Sequence, residues 1–238
     1  MSAQIKHPPT MRAIQVKQWG GADQLQLADV PLPSPLPTEI RVKMMAAGVN
    51  PVDVYTREGL AYMKALTLPH IPGWDAAGIV EAVGYGVTRF KEGDRVFGMP
   101  WFPRAGSTYA EYVVAPASHF AAMPANLGFV DAAALPLAGL TAWQMLVNVG
   151  QVTAGMRVLI NGAAGGVGHL AVQIAKAKGA YVVVTARKEK HEFLSSLGAD
   201  HVIDYTQLHV PDVVSDIDLV LEMVGGETCL TMLKTLRM

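Results

Sequence analysis

The stretch RVLINGAAGGVGHLAVQIAKAKGA, residues 157–180, constrains the fold more than any other part of the chain. Arg157 to Ile160 is a short apolar run of the kind that forms a buried strand. Gly166 to Lys178 carries apolar residues at helical spacing and stops at Gly179, a favoured helix terminator. Between them, Ala163, Gly165 and Gly168 occupy the three positions of G-x-G-x-x-G, with Ala standing for the first glycine. Such a turn needs glycines so that backbone N–H groups can approach a pyrophosphate and so that helix and strand can pack closely. The helix N-terminus adds partial positive charge. A purely structural turn is the competing reading, but the strand, turn and helix in this order favour a dinucleotide site built from Ala164, Gly165, Gly166, Val167 and Gly168.

The choice of dinucleotide rests on the end of the next strand, about 20 residues further on. An acidic residue there would accept from a ribose 2′-OH, whereas Arg or Lys would make charge-assisted bonds to a 2′-phosphate. The chain reads TARKEK, so Arg187 and Lys188 point to NADPH; Thr185 adds a hydroxyl donor, and Glu189 is explained as first-turn charge of the following helix. Beyond it, strand-like and helix-like runs alternate: Tyr181 to Thr185, Glu189 to Leu197, His201 to Ile203, Asp218 to Glu222, Glu227 to Leu236. Alternation of this kind predicts a parallel sheet with crossover helices. Asp131 to Val149, just before the motif, is expected to be helical.

The first half reads differently. Arg12 to Lys17, Ile40 to Met45, Ile79 to Val83, Asp94 to Phe97 and Ala110 to Val114 are short apolar runs between Gly and Pro, and predict a mostly β domain. Pro31, Pro33, Pro35 and Pro37 favour an extended connector and forbid a central strand. The expected division is a flexible tail over 1–10, a β domain over 11–130 and a dinucleotide-binding domain over 131–238. With 19 Lys plus Arg against 20 Asp plus Glu, no basic tract suits nucleic acid. Pro136, Gln144 and Asn148 break the most apolar run, Leu135 to Val149, so no membrane span is expected. The start MSAQIKHPPT lacks an apolar signal region and the single Cys229 fits a reducing compartment, so a cytoplasmic protein is expected.

Taken together, AAGVNPVDVYTREG, PHIPGWDAAGIVEAVGYGVTRFKEGDRVFG, AEYVVAP, DAAALPLAGLTAW, AAGGVG and LGADHVIDY resemble the medium-chain dehydrogenase/reductase superfamily, within it the zinc-independent quinone oxidoreductase (zeta-crystallin-like) branch. The resemblance covers Met11 to Met238. It implies an α/β protein with a GroES-like, mostly-β N-terminal domain and a Rossmann-type doubly wound parallel sheet, the nicotinamide and substrate lying between the two domains. It also implies that Asn50 to Tyr55 lines the nicotinamide and substrate, with Asn50 donating to an acceptor carbonyl and Tyr55 donating a hydrogen bond or proton to the developing enolate or hydroquinone. Asp53 would cap or orient that turn beside the cofactor. Thr141 would approach the nicotinamide or its ribose, Tyr205 the adenosine phosphate end, and Val224 the nicotinamide ribose.

Zinc-dependent members of the superfamily carry a His-Glu pair that would fall at Trp74 and Asp75, and a Cys that would fall in the loop AAGVNPVD. Trp74 cannot ligate a metal, the Cys is absent, and the seven histidines form no ligand pattern, so each His is expected at the surface or in a cap. Without a Lewis acid to hold an alkoxide, acceptors that spread charge by conjugation are favoured: quinones and α,β-unsaturated carbonyls. Reduction of a trans-enoyl thioester or alkenal, and NADPH binding without catalysis, are the alternatives. The family's usual length implies a sheet truncated at its C-terminal end and an exposed apolar edge at its fourth strand, and the resemblance implies a homodimer in the full-length form.

Overall fold

The computed structural model describes residues 9–237, which fall into two compact units, the first ending at Leu137 and the second beginning at Ala138. The expected tail over 1–10 lies outside the described residues up to residue 8, while Thr10 already belongs to the first strand.

In the first unit, β1 (Thr10–Gln15) and β2 (Gln26–Pro31) pair antiparallel, and the proline-rich stretch follows as an unpaired connector. A five-stranded antiparallel sheet is built from β3 (Glu39–Gly48), β4 (Asp75–Val83), β5 (Arg95–Gly98), β6 (Tyr112–Pro116) and β7 (Phe120–Ala122), in the order β6-β3-β4-β5-β7. Alternation puts Ile40 and Val42 of β3 into one core with Val80, Phe90, Val96, Val113 and Phe120, all buried. β2 and β7 escaped the sequence reading because they are edge strands with weak apolar alternation. So did the helix α1 (Pro51–Arg57), which starts at Asn50 with Pro51 in its first turn, where a missing N–H costs nothing.

The helix expected over Asp131 to Val149 is broken into α2 (Phe129–Ala133), α3 (Pro136–Trp143) and a π-helical turn over Gln144–Val149. Proline cannot sit inside a helix, and here Pro136 opens a new one.

In the second unit, β8 (Arg157–Asn161), β9 (Tyr181–Ala186), β10 (His201–Asp204) and β11 (Leu219–Glu222) form a parallel sheet in the order β10-β9-β8-β11. This is the 3-2-1-4 arrangement of a doubly wound sheet. The period of two sorts its residues between faces. Val158, Ile160, Val182 and Val184 pack with Ala171, Val172 and Ala175 of α4 (Gly168–Ala177), whereas Leu159, Val183 and Ile203 pack on the other face. There they meet Val210 of α6 (Val210–Val213) and Met232 of α7 (Glu227–Leu233); the short α5 (His191–Ser196) adds Leu194 to the first face.

The edge at β11 is not wholly bare. Just before it, the Ile217 N–H donates to the Thr235 carbonyl at 3.0 Å and the Arg237 N–H to the Ile217 carbonyl at 3.0 Å, with an Arg237–Asp218 ion pair at 2.8 Å. Among the described residues no helix is long and apolar enough to cross a membrane.

Candidate functional site

The glycine turn connects β8 to α4, as the strand, turn and helix pattern requires. Its left-handed residue is Gly162, with φ +79°, not Ala163, which is fully buried. The Gly165 N–H donates to the Gly162 carbonyl at 3.1 Å and closes the turn. Two glycines do different work. A Cβ on Gly168 would lie 2.4 Å from the Gly162 carbonyl oxygen and 2.6 Å from the Ala163 Cα, so only glycine lets α4 pack this closely. A Cβ on the exposed Gly166 would meet nothing within 4 Å, so its missing side chain leaves the backbone open to an incoming group. Ala164 and Val167 are half-buried beside it. The ten-residue α4 begins here, and its N-terminal backbone suits an anion.

Thr185 is 1% exposed, and its hydroxyl is already committed. It accepts from the Gly162 N–H at 3.4 Å and donates its one proton to Asn161 Oδ1. The expectation that Thr185 donates to a 2′-phosphate is therefore corrected: it supports the turn from beneath. Asn161 Nδ2 in turn donates to Glu222 Oε2 at 2.7 Å, and Glu222 Oε1 accepts from the Val224 and Gly225 N–H groups at 2.6 and 3.0 Å. Neither Asn161 nor Glu222 was singled out from sequence. Their only signal is a polar residue closing each of two apolar strands, and no motif marks that.

Around this turn lies a cavity of about 620 Å³ lined by Asn161, Gly162, Tyr205, Val224, Thr228 and neighbours. Tyr205 is 48% exposed and its hydroxyl accepts from Arg187 Nε at 3.2 Å, which holds the guanidinium charged even more firmly than usual. Arg187 and Lys188 are exposed and line a second hollow of about 410 Å³ together with Glu189, Asp204 and Thr206. Two hydrogen bonds from Thr206 hold the Asp204 carboxyl below its ordinary range. Glu189 does stand in the first turn of the helical segment Lys188–Lys190. The residues present suit a dinucleotide: an open glycine turn, a helix N-terminus and two exposed cations beyond the neighbouring strand.

In the first unit, Asn50 caps α1 and its Nδ2 donates to Asp75 Oδ2 at 2.8 Å. Asp53, expected beside the cofactor, is turned inward: it is 6% exposed, and its Oδ2 accepts from the Asn50 N–H at 2.7 Å and the Tyr109 hydroxyl at 3.0 Å. A carboxylate so enclosed orients Asn50 rather than touching a ligand. Burial raises its pKa above the ordinary carboxylate range, and the same burial beside Asp53 raises that of the Tyr109 phenol. Asp75 is 1% exposed; its Oδ1 accepts from the Leu137 N–H at 2.8 Å, and burial pushes its pKa up to about 6. Tyr55 is exposed on α1, and Thr141 is half-buried on α3.

Trp74, where the resemblance would place the zinc-binding His, is 3% exposed. Its Nε1 donates to the Arg104 carbonyl at 2.7 Å and its ring meets Tyr62 and Phe102 edge to face. An indole nitrogen offers no lone pair to a metal. His70 departs from the expected surface role: it is 7% exposed, lies against Trp19, and burial lowers its pKa.

Comparison with known proteins agrees with this architecture. Residues 36–125 match the family model described as alcohol dehydrogenase GroES-like domain, and residues 166–238 match zinc-binding dehydrogenase. A quinone oxidoreductase of Mus musculus is 38% identical over 237 residues, which is 95% of this chain and 70% of that protein. The NADPH-dependent alkenal/one oxidoreductase, chloroplastic, of Arabidopsis thaliana is 37% identical over 94% of this chain and 60% of its own length. The solved quinone oxidoreductase of Coxiella burnetii superposes with a TM-score of 0.89 at 39% identity, covering 96% of this chain and 73% of that one. With the GroES-like sheet, the 3-2-1-4 parallel sheet and the glycine turn, these likenesses make the chain a member of the medium-chain dehydrogenase/reductase superfamily in its quinone oxidoreductase branch, an oxidoreductase that uses a nicotinamide cofactor on a small-molecule substrate.

Proposed function

We propose that the protein is an NADPH-dependent reductase that delivers a hydride to quinones or α,β-unsaturated carbonyls without a metal. The observation that carries the reading is the charge beyond β9: Arg187 and Lys188 are exposed where an NADH site would present a carboxylate. The names of the quinone and alkenal/one oxidoreductase relatives support the substrate class.

The backbone N–H groups of Gly166 and Val167, at the start of α4, hold the pyrophosphate, with Ala164, Gly165 and Gly168 shaping the turn. Arg187 and Lys188 hold the 2′-phosphate, Tyr205 flanks the adenosine phosphate end, and Val224 and Thr141 border the nicotinamide ribose. The bound cofactor supplies the hydride. Asn50, anchored by Asp75 through one amide N–H, offers its second N–H to the acceptor carbonyl and so draws charge onto that oxygen. Tyr55 donates a hydrogen bond or proton to the same oxygen as the enolate or hydroquinone forms.

The test pairs binding with turnover. Calorimetric titration should find NADPH at least tenfold tighter than NADH, and Ala at both Arg187 and Lys188 should remove most of that preference, since each charge-assisted phosphate contact is worth roughly tenfold in affinity. Oxidation of NADPH by a panel of quinones and enones should persist after prolonged EDTA treatment, and Asn50→Ala should lower kcat more than it raises KM. Equal affinity for the two cofactors, or activity lost to EDTA and restored by zinc, overturns the reading; turnover confined to enoyl thioesters would move the substrate class.

A further inference from the structure

Glu222 lies at the C-terminal end of β11, opposite Asn161 at the end of β8, and neither residue is one of the expected cofactor contacts. Through them a single file of hydrogen bonds crosses three strand ends. The Gly162 N–H donates to Thr185 Oγ1, the Thr185 hydroxyl donates to Asn161 Oδ1, Asn161 Nδ2 donates to Glu222 Oε2, and Glu222 Oε1 collects the Val224 and Gly225 N–H groups. One end of the file is the glycine turn that opens α4; the other is the loop after β11. Asn161, Gly162 and Val224 border the same cavity of about 620 Å³.

We infer that Glu222 is a positioning residue for the nicotinamide dinucleotide: through Asn161 and Thr185 it locks the glycine turn and the Val224–Gly225 loop into one rigid frame, so that the pyrophosphate and the nicotinamide ribose meet preset backbone. The inference rests on the assignment of this cavity to the dinucleotide, and it holds for either NADPH or NADH. Its force comes from donor and acceptor polarity. Glu222 is an acceptor at both oxygens, Asn161 must present oxygen to Thr185 and nitrogen to Glu222, and the buried Thr185 has only one proton to give. No link can be reversed alone without leaving two donors or two acceptors face to face, and at Asn161 and Thr185, both buried, that mismatch costs more than the bond itself gains.

That polarity gives a test. Glu222→Gln puts an amide nitrogen against either Asn161 Nδ2 or the Val224 N–H. Asn161→Asp puts two carboxylates together. The double variant N161D/E222Q reverses the central bond and restores every partner. The new side-chain amide on β11 donates to the new carboxylate on β8, that carboxylate still accepts from Thr185, and the oxygen of the new amide still accepts from the Val224 and Gly225 N–H groups.

Each variant and the unmutated chain are titrated with NADPH and with NADH by calorimetry, with thermal unfolding followed by circular dichroism. Adenosine 2′-monophosphate, which lacks the pyrophosphate and nicotinamide ribose, serves as a competing probe. The expected result is that each single variant weakens the preferred dinucleotide about tenfold. Adenosine 2′-monophosphate changes less than twofold, and the double variant returns to within about threefold of the unmutated chain. Unchanged dinucleotide affinity in Glu222→Gln, equal loss for the dinucleotide and the monophosphate, or a double variant no better than the singles overturns the inference. Failure of the unmutated chain to bind either dinucleotide would instead remove the cofactor assignment of the cavity, and the inference with it.

Discussion

Gly166 and Gly168 stand two residues apart in the same turn, and the proposed cofactor binding gives them opposite duties that one pair of substitutions separates. An alanine Cβ at residue 168 would lie 2.4 Å from the Gly162 carbonyl oxygen, 2.6 Å from the Ala163 Cα and 2.7 Å from its carbonyl carbon. Real Cβ atoms essentially never come within 3.0 Å of such neighbours, and all three atoms are backbone, so β8 and α4 must move apart. Overpacking of this kind costs about 1–3 kcal/mol. Residue 168 is the first of α4, where the helix-interior advantage of alanine does not offset the clash. The net expectation for Gly168→Ala is a loss of about 1–3 kcal/mol, a fall in Tm of roughly 2–12 °C at ~2–4 °C per kcal/mol. An added Cβ at Gly166 meets nothing within 4 Å, so Gly166→Ala should stay within about 0.5 kcal/mol of the unmutated chain. Its methyl group would stand where the pyrophosphate approaches, and NADPH affinity should drop about tenfold or more. Thermal unfolding by circular dichroism and calorimetric titration of NADPH on both variants decide it. A stable Gly168→Ala protein, or a Gly166→Ala protein that binds NADPH at full strength, would refute this division of labour.

Further outcomes follow from the two cores and the buried acids. Burial raises Asp75 to about 6, so the native state holds its proton more tightly than the unfolded chain; the stability this group contributes is present at pH 4 and falls by up to ~1.4 kcal/mol per unit until about pH 6. Relative to Asp75→Asn, the unmutated chain should therefore lose stability across that window in denaturant unfolding, and equal slopes would contradict the burial argument. Leu159→Ala, in the fully buried face between the sheet and α6 and α7, should cost about 2–5 kcal/mol in the same assay. Trp74→Phe keeps the ring packing against Tyr62 and Phe102 but orphans the Arg104 carbonyl, and a loss of about 1 kcal/mol should appear by chemical denaturation.

The second unit was legible because its signals are local. Arg157–Asn161, the glycines and α4 are consecutive, and a strand feeding a helix through a glycine turn has few alternatives, so a parallel sheet with crossover helices could be read ahead of the structure, while its 3-2-1-4 order came from the fold. That Trp74 cannot ligate a metal is likewise chemistry that needs no coordinates. What sequence could not supply is direction, because a side chain's partner is chosen by strands that are distant along the chain. Thr185 reads as a phosphate donor until the register of β9 against β8 aims its proton at Asn161. Asp53 caps its own turn as the sequence suggests, but its second partner, the Tyr109 hydroxyl, lies 56 residues away and is brought to it only by the folded chain. Asn161 and Glu222 are 61 residues apart and carry no motif at all; only parallel pairing of β8 and β11 makes them neighbours. Composition and period determine which elements form and which faces are apolar, since those depend on each residue and its near neighbours. The polar partnerships that hold the glycine turn belong to the tertiary structure, since a hydrogen bond depends on distance and angle in space and is indifferent to separation along the chain.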